Sequence, residues 1–301
     1  MRNLITGANG AAAHYVAVHL AAKGETVAPI ARPCCDLNDF EAVCAALDRE
    51  KPDVIYHLAA KADVRASFED GGATLKNNID STVNLFEACR KTGQKPVMLV
   101  CSTSEVYGQP ESAPITEDFP YAPLNPYAVS KAAQDLLGRM YAIAYKFPVV
   151  VTRAFGYINP LREGIALSRF ARQIAEIEAG KREVLEHGNL DSIRTFCDVR
   201  DIARAYVLAA ETGGGVFNIG AEYPVSIEQC LSDLISMARV EIKTRFDERL
   251  RRPTDVTRII PDCTRFRRMT GWEPQILLRE SLAWLLEHWR AQMAPKLEVV
   301  K

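Results

Sequence analysis

Tyr127 and Lys131 stand four residues apart in the stretch NPYAVSK, 125–131. On a helix that spacing places both side chains on one face. An ammonium beside a phenol favours phenolate and so lowers the phenol's pKa from its ordinary value of about 10. A phenol tuned in this way can pass a proton near neutral pH. Upstream, VCSTSEVYG (100–108) ends an apolar run in the hydroxyl residues Ser102, Thr103 and Ser104, followed by Glu105. A threonine hydroxyl at that strand end can hold a carbonyl oxygen beside the phenol. These are the parts needed for hydride transfer between a nicotinamide and a carbonyl.

Something must position them. Short apolar runs at 3–6, 26–31, 53–59, 97–102 and 148–153 read as buried parallel strands, and helical patterns fill 11–23, 38–50, 74–92 and 126–146. Such alternation predicts an α/β fold, a Rossmann doubly wound parallel sheet covered on both faces, with ligands beyond the carboxyl ends of the strands. The second half is less regular. A helix at about 167–180, a strand near 183–187, a helix at 198–211, a strand at 216–220 that returns to the sheet and a helix around 279–290 are expected. NDFE (38–41) and SIEQ (226–229) have the spacing of capping boxes. The expected division is a nucleotide-binding domain over 1–160 plus about 198–222, and a smaller C-terminal α/β substrate domain over about 161–197 and 223–301.

LITGANGAAAHYVAVHL follows the first strand and opens the first helix. Gly7 permits a tight turn, and Gly10 lets backbone approach a pyrophosphate at the helix N-terminus; Asn9 lies between them. The third glycine of a full dinucleotide turn is replaced by Ala13, a difference of one methyl group. The second strand ends IARP with Arg32 and no acid, which suits the additional phosphate of NADP(H) better than the ribose of NAD(H). Asp36, just beyond, either accepts from an adenine amino group or begins the next helix.

At 301 residues and a formal net charge of −1, the chain has no domain-scale excess of Lys and Arg, so a nucleic-acid partner is not expected. No apolar run approaches the roughly 20 residues of a membrane-spanning helix. The eight cysteines are scattered without a C-x-x-C pair and read as reduced thiols of a cytoplasmic protein, with no metal site.

TGANG, HLAA (57–60), STSEVYG, YAVSK, RTFCDVRD (194–201), NIG (218–220) and RPTDV (252–256) occur in this order along nearly the whole chain. In this the sequence resembles the extended short-chain dehydrogenase/reductase family. ARQIAEIEAGKREVLEHGNLDSIRTFCDVRDIARAY, RRPTDVTRIIPD and TGWEP are similar to the enzymes of GDP-6-deoxy-mannose synthesis, the 4-keto reductases and the 4,6-dehydratases. The resemblance implies Thr103, Tyr127 and Lys131 as a catalytic triad. It implies cofactor contacts at Leu37, Leu58, Ala59 and Ala60, besides Gly7, Asn9, Gly10, Arg32, Asp36, Tyr127 and Lys131. Ser104, Asn159, Arg194, Arg252 and Asp255 are the implied contacts to a GDP-linked deoxy-sugar, with Arg194 and Arg252 on the diphosphate. The helices at 74–92 and 126–146 resemble those that pair in the family's homodimers.

Glu105 stands where a dehydratase would place its C5 base, but reductases also carry a glutamate there. Only PCC separates Arg32 from Asp36, so the basic insertion that clamps NADP in the dehydratases is missing, which favours NADPH-dependent reduction of a C4 keto group. Gly156 in RAFGYINP replaces a family asparagine, and Asn159 a glycine, which leaves the sugar open. A dehydratase, another nucleotide-sugar epimerase, or a catalytically silent cofactor sensor are the competing readings.

Overall fold

The structure, a computed structural model, describes residues 1–250 and 256–293. The chain runs β1 (Arg2–Thr6), α1 (Ala11–Ala22), β2 (Thr26–Ile30), α2 (Phe40–Glu50), β3 (Val54–His57), α3 (Val64–Glu69), α4 (Gly71–Lys91), β4 (Val97–Thr103). It continues α5 (Pro126–Tyr145), β5 (Val149–Ala154), β6 (Tyr157–Ile158), α6 (Ala166–Glu178), β7 (Val184–His187), β8 (Ile193–Arg194), β9 (Cys197–Asp198) and α7 (Val199–Glu211). The last elements are β10 (Gly215–Ile219), β11 (Val225–Ser226), α8 (Ile227–Ser236), β12 (Lys243–Phe246), α9 (Thr264–Thr270) and α10 (Leu278–Met293).

Six strands form one sheet in the order β10-β5-β4-β3-β1-β2, every pair parallel. Leu4 and Ile5 of β1 are both buried, but in different core clusters on opposite faces of the sheet. That two-sided burial is why the strands read as continuous apolar runs. One face packs α1 and α7, the other α2, α4 and α5. A further core joins α6, α8 and α10 through Phe170, Leu231, Leu282 and Trp289. The chain leaves β1 outward to β2, then crosses back to β3, and the strand order reverses between β1 and β3. A ligand crevice belongs at the carboxyl ends there.

Two helix starts differ from expectation. At α2 the cap is Asp39, which accepts from Ala42 N–H at 3.1 Å; Asn38 donates its backbone and side-chain N–H groups to Asp36 instead. The stretch ahead of 74, expected as connection, contains α3 and the first turn of α4. Asp63 and Asp70 cap them by accepting from Ala66 and Ala73 N–H, so Gly71 and Gly72 are tolerated in a helix start. Ser226 does cap α8, through Gln229 N–H at 3.0 Å. Among the described residues no helix is long and apolar enough to cross a membrane.

Candidate active site

A cavity of about 510 Å³ opens at the carboxyl ends of β1, β3, β4 and β5. It joins the glycine turn (Gly7, Gly10) to Thr103, Ser104, Glu105, Tyr127, Lys131 and Arg194, with Leu58 and Ala60 between them. Residues from five separate motifs therefore meet on one surface.

The glycine turn is shaped for close approach. A Cβ on Gly7 would lie 2.7 Å from Ala59 Cα, at a positive φ of 68°. Gly10 begins α1 with no side-chain cap and no acid in the first turn, whereas Asp39, Asp63, Asp70, Asn125, Asp198 and Ser226 cap α2, α3, α4, α5, α7 and α8. Uncapped amides with no competing carboxylate suit a pyrophosphate. The residues present fit a dinucleotide. Ala13 is buried in the core between α1 and the sheet, where its methyl group is accommodated.

Asn125 sets the start of α5, accepting from Ala128 N–H at 2.8 Å, with Pro126 in the first helical turn. Its Nδ2 donates to Glu105 Oε2 at 3.1 Å, so one residue fixes both the glutamate and the helix that carries Tyr127 and Lys131. Gly138 lets α5 lie close on the sheet; a Cβ there would meet Val149 Cγ1 at 3.2 Å. Thr103 Oγ1 accepts from Glu105 N–H at 3.3 Å, which leaves its O–H to donate into the cavity. Lys131 is buried and donates from Nζ to the Cys101 carbonyl at 2.7 Å.

The electrostatics correct the opening expectation. Burial pushes the Tyr127 phenol well above its ordinary value, and the cation that opposes burial is Arg162, not Lys131. Burial also holds the Lys131 ammonium below its usual range. Arg162 stands in the loop after β6, hydrogen-bonds the Tyr157 phenol, and donates from Nη2 to the Ala62 carbonyl at 3.1 Å. Sequence reading missed it; its one signal was an arginine two residues past Pro160, in the loop beyond a ligand-edge strand.

Beneath the cavity lies a buried polar network that was also missed. His57 Nδ1 lies 2.9 Å from Thr6 Oγ1, and its Nε2 lies 2.9 Å from Thr82 Oγ1. Thr82 donates its hydrogen to the Asn78 carbonyl at 2.8 Å, so the ring Nε2 carries the proton and Nδ1 accepts from Thr6. Thr6 Oγ1 in turn accepts from Ala59 N–H at 3.2 Å. Asn78 clasps both backbone groups of Lys61 and donates to Ser130 Oγ of α5 at 2.8 Å. Burial, with Lys131 second, pushes His57 down to about 3.

Other expected contacts are not on the cavity wall. Asn9 donates to the Arg32 carbonyl at 3.3 Å, tying the glycine turn to the end of β2, and the Arg32 side chain is exposed there. Asp36 serves the turn before α2, Leu37 belongs to the core, and Ala59 lies under Gly7. Asn159 is buried behind the cavity wall; its Oδ1 accepts from Leu161 N–H at 3.0 Å, and its buried Nδ2 makes no hydrogen bond among the described residues. Gly156 does line the cavity, but a Cβ there would lie 2.5 Å from the Thr195 carbonyl. The departure from asparagine is fixed by this approach, because β6 pairs with β9 beside it. Arg194 donates to the carbonyls of Ile193 and Val256, at 3.0 and 2.5 Å. Arg252 and Asp255 lie outside the described residues.

Comparison with known proteins gives the family and the fold. The sequence model of GDP-mannose 4,6 dehydratase matches residues 29–284. The chain is 32% identical to GDP-6-deoxy-D-mannose reductase of Pseudomonas aeruginosa over 299 residues, covering 97% of this chain and 98% of that enzyme. UDP-glucose 4-epimerase of Mycolicibacterium smegmatis is 29% identical over 242 residues, 80% of this chain and 77% of the epimerase. Among solved structures, RMD from Pseudomonas aeruginosa complexed with NADPH matches with a TM-score of 0.89 at 31% identity, over 97% of this chain and 100% of that one.

Proposed function

We propose that this chain, which belongs to the GDP-mannose 4,6-dehydratase family of extended short-chain dehydrogenases/reductases, reduces the C4 keto group of a GDP-4-keto-6-deoxy sugar with NADPH. The observation that carries the reading is the meeting of Tyr127, Lys131 and Thr103 with the uncapped glycine turn on one cavity. The similarity to the Pseudomonas aeruginosa reductase, and to RMD complexed with NADPH, supports the reductase and the cofactor.

NADPH supplies the hydride when bound. The chain's part is to hold and to protonate. The Thr103 O–H donates to the C4 oxygen, and the Tyr127 phenol gives it a proton. A phenol held un-ionised by burial is in the correct state to donate. As it becomes phenolate, the Arg162 guanidinium stabilises the new charge. Lys131, fixed on the Cys101 carbonyl, would hold the nicotinamide ribose. Gly7 and Gly10 would admit the pyrophosphate, and Arg32 at the rim suits the additional phosphate. The second half of the chain, about 161–197 and 223–301, is read as the part that binds the nucleotide sugar.

A second reading has one specific support. Glu105 is on the cavity wall with its carboxylate oriented by Asn125, as a C5 base of a 4,6-dehydratase would be. Two tubes separate the readings: GDP-4-keto-6-deoxymannose with NADPH, and GDP-mannose with NADP. Loss of reduced-nicotinamide absorbance in the first alone supports the reductase. A keto sugar in the second without net cofactor change means the dehydratase. Silence in both refutes the GDP-sugar assignment.

The assembly is read as a homodimer. Val129, Leu136, Met140 and Ile143 are exposed along the outer face of α5, at three-, four- and seven-residue intervals, an apolar stripe of the kind that pairs helices. Eight unpaired cysteines support a reducing compartment, the cytoplasm.

A further inference from the structure

Positive charge that the reduction does not use lines the far end of the cavity. Arg65 projects from α3, in the first half of the chain, and Arg169 from the beginning of α6, in the second. Among the described residues neither guanidinium has a carboxylate within ion-pair distance. Arg65 donates one long hydrogen bond, 3.4 Å, to the Arg249 carbonyl. The carboxylates nearest Arg169 are committed elsewhere: Asp247 to Arg249 at 2.8 Å, and Glu186 to Arg245 at 2.5 Å and Arg182 at 3.5 Å. Burial, then the charge of Arg65, then that of Arg182, holds Arg169 below the ordinary arginine value. The two cations share one end of the cavity, Arg65 exposed and Arg169 half-buried, with no counterion among the described residues, and an anion between them is favoured.

We propose that Arg65 and Arg169 close from the two halves of the chain on the diphosphate of the nucleotide-linked substrate. The inference rests on the nucleotide-sugar reading above and names residues that reading did not contain. The neighbours of this pair belong to β7, β12 and the turn after it, not to the glycine turn, so the cofactor pyrophosphate is not the anion concerned. Two guanidinium forks match a group with two charges and several oxygens, where a lone carboxylate would satisfy one fork. The first turn of α6 faces the same space through Ile165, Ala166 and Leu167 with no side-chain cap, and adds a favourable partial charge.

The test is equilibrium binding to the full chain, read by calorimetry with GDP, guanosine, UDP and NADPH. The variants are Arg65→Met, Arg169→Met and Arg169→Lys. Each Met variant is expected to weaken GDP by roughly 10- to 100-fold, the worth of one charge-assisted hydrogen bond. Guanosine and NADPH affinities stay at the wild-type level, and retained NADPH binding shows that the variant has folded. Arg169→Lys recovers part of the loss, and the salt dependence of GDP binding becomes shallower in the Met variants. Unchanged GDP affinity in both Met variants overturns the proposal, as does an equal loss for NADPH. If the wild type binds UDP and not GDP, the guanine assignment falls while the same variants still test the diphosphate with UDP.

Discussion

Acid should loosen this protein through one ring. His57 is fully buried and neutral, with Nδ1 accepting from Thr6 and Nε2 donating to Thr82. Its folded pKa, about 3, lies below the unfolded 6.5, so the unfolded chain binds the proton more readily. The stability that neutral His57 provides is therefore complete above about 6.5 and is lost progressively as pH falls toward 3. At about pH 5 the unfolded chain gains about 2 kcal/mol from this group alone. Protonation at Nδ1 would set its N–H against the Thr6 hydroxyl hydrogen, and Thr6 would have to rotate that hydrogen away and accept instead. Thr6 holds Ala59 N–H, and Ala59 lies directly under Gly7. The assay is urea unfolding at about pH 7.5 and about pH 5 for wild type and His57→Gln, which removes the titration and leaves the other groups common to both. The wild type should lose about 2 kcal/mol more than the variant across that interval. Equal losses would refute the assignment of a neutral, hydrogen-bonded ring.

Tyr127→Phe should lower kcat for reduction by roughly 100- to 10,000-fold while NADPH affinity holds, measured by steady-state kinetics and calorimetry. Arg162→Met should lower kcat by about tenfold and move the basic limb of the kcat profile upward, because the phenolate loses its nearest cation; a rise in KM alone would mean that Arg162 binds substrate instead. Gly156→Ala should destabilise by ~1–3 kcal/mol in urea unfolding, since its methyl would meet the Thr195 carbonyl, and Gly156→Asn should not restore a substrate contact. Ile143→Glu with Met140→Glu should give a monomer by sedimentation at micromolar concentration, and the wild type should sediment as a dimer.

The parallel sheet was legible because its strands are buried on both faces and so appear as apolar runs between helical patterns. The proposed triad could be grouped from sequence because Tyr127 and Lys131 fall within one helix and Thr103 at one strand end, so that sequence spacing stands in for distance. What was not legible depends on contacts between distant segments. Arg162 meets Tyr127 only after β6 has paired with β9 and the loop beyond it has turned back over α5. Arg65 and Arg169 look like surface charges until the two halves of the chain enclose one cavity. At Asn159 a family position suggested a ligand contact, and sequence alone did not show that its Oδ1 is used by its own loop. Asn38 was mistaken for a cap because Asp36, two residues earlier, competes for it.

One side of the crevice is bolted. Arg153 of β5 meets Asp135 of α5 at 2.7 Å, both buried, and the same guanidinium donates to Tyr107, the Glu117 carbonyl and Tyr121. Separating them would leave a charge stranded without water, at a cost of about 3–5 kcal/mol. The segment after β4 therefore cannot swing away while the sheet stays whole. The ion pairs around α6 join no two walls of the cavity: Arg172 pairs with Glu176 within α6, and Arg245 of β12 pairs with Glu186 of β7. The residues proposed for the chemistry therefore sit on the bolted side of the crevice.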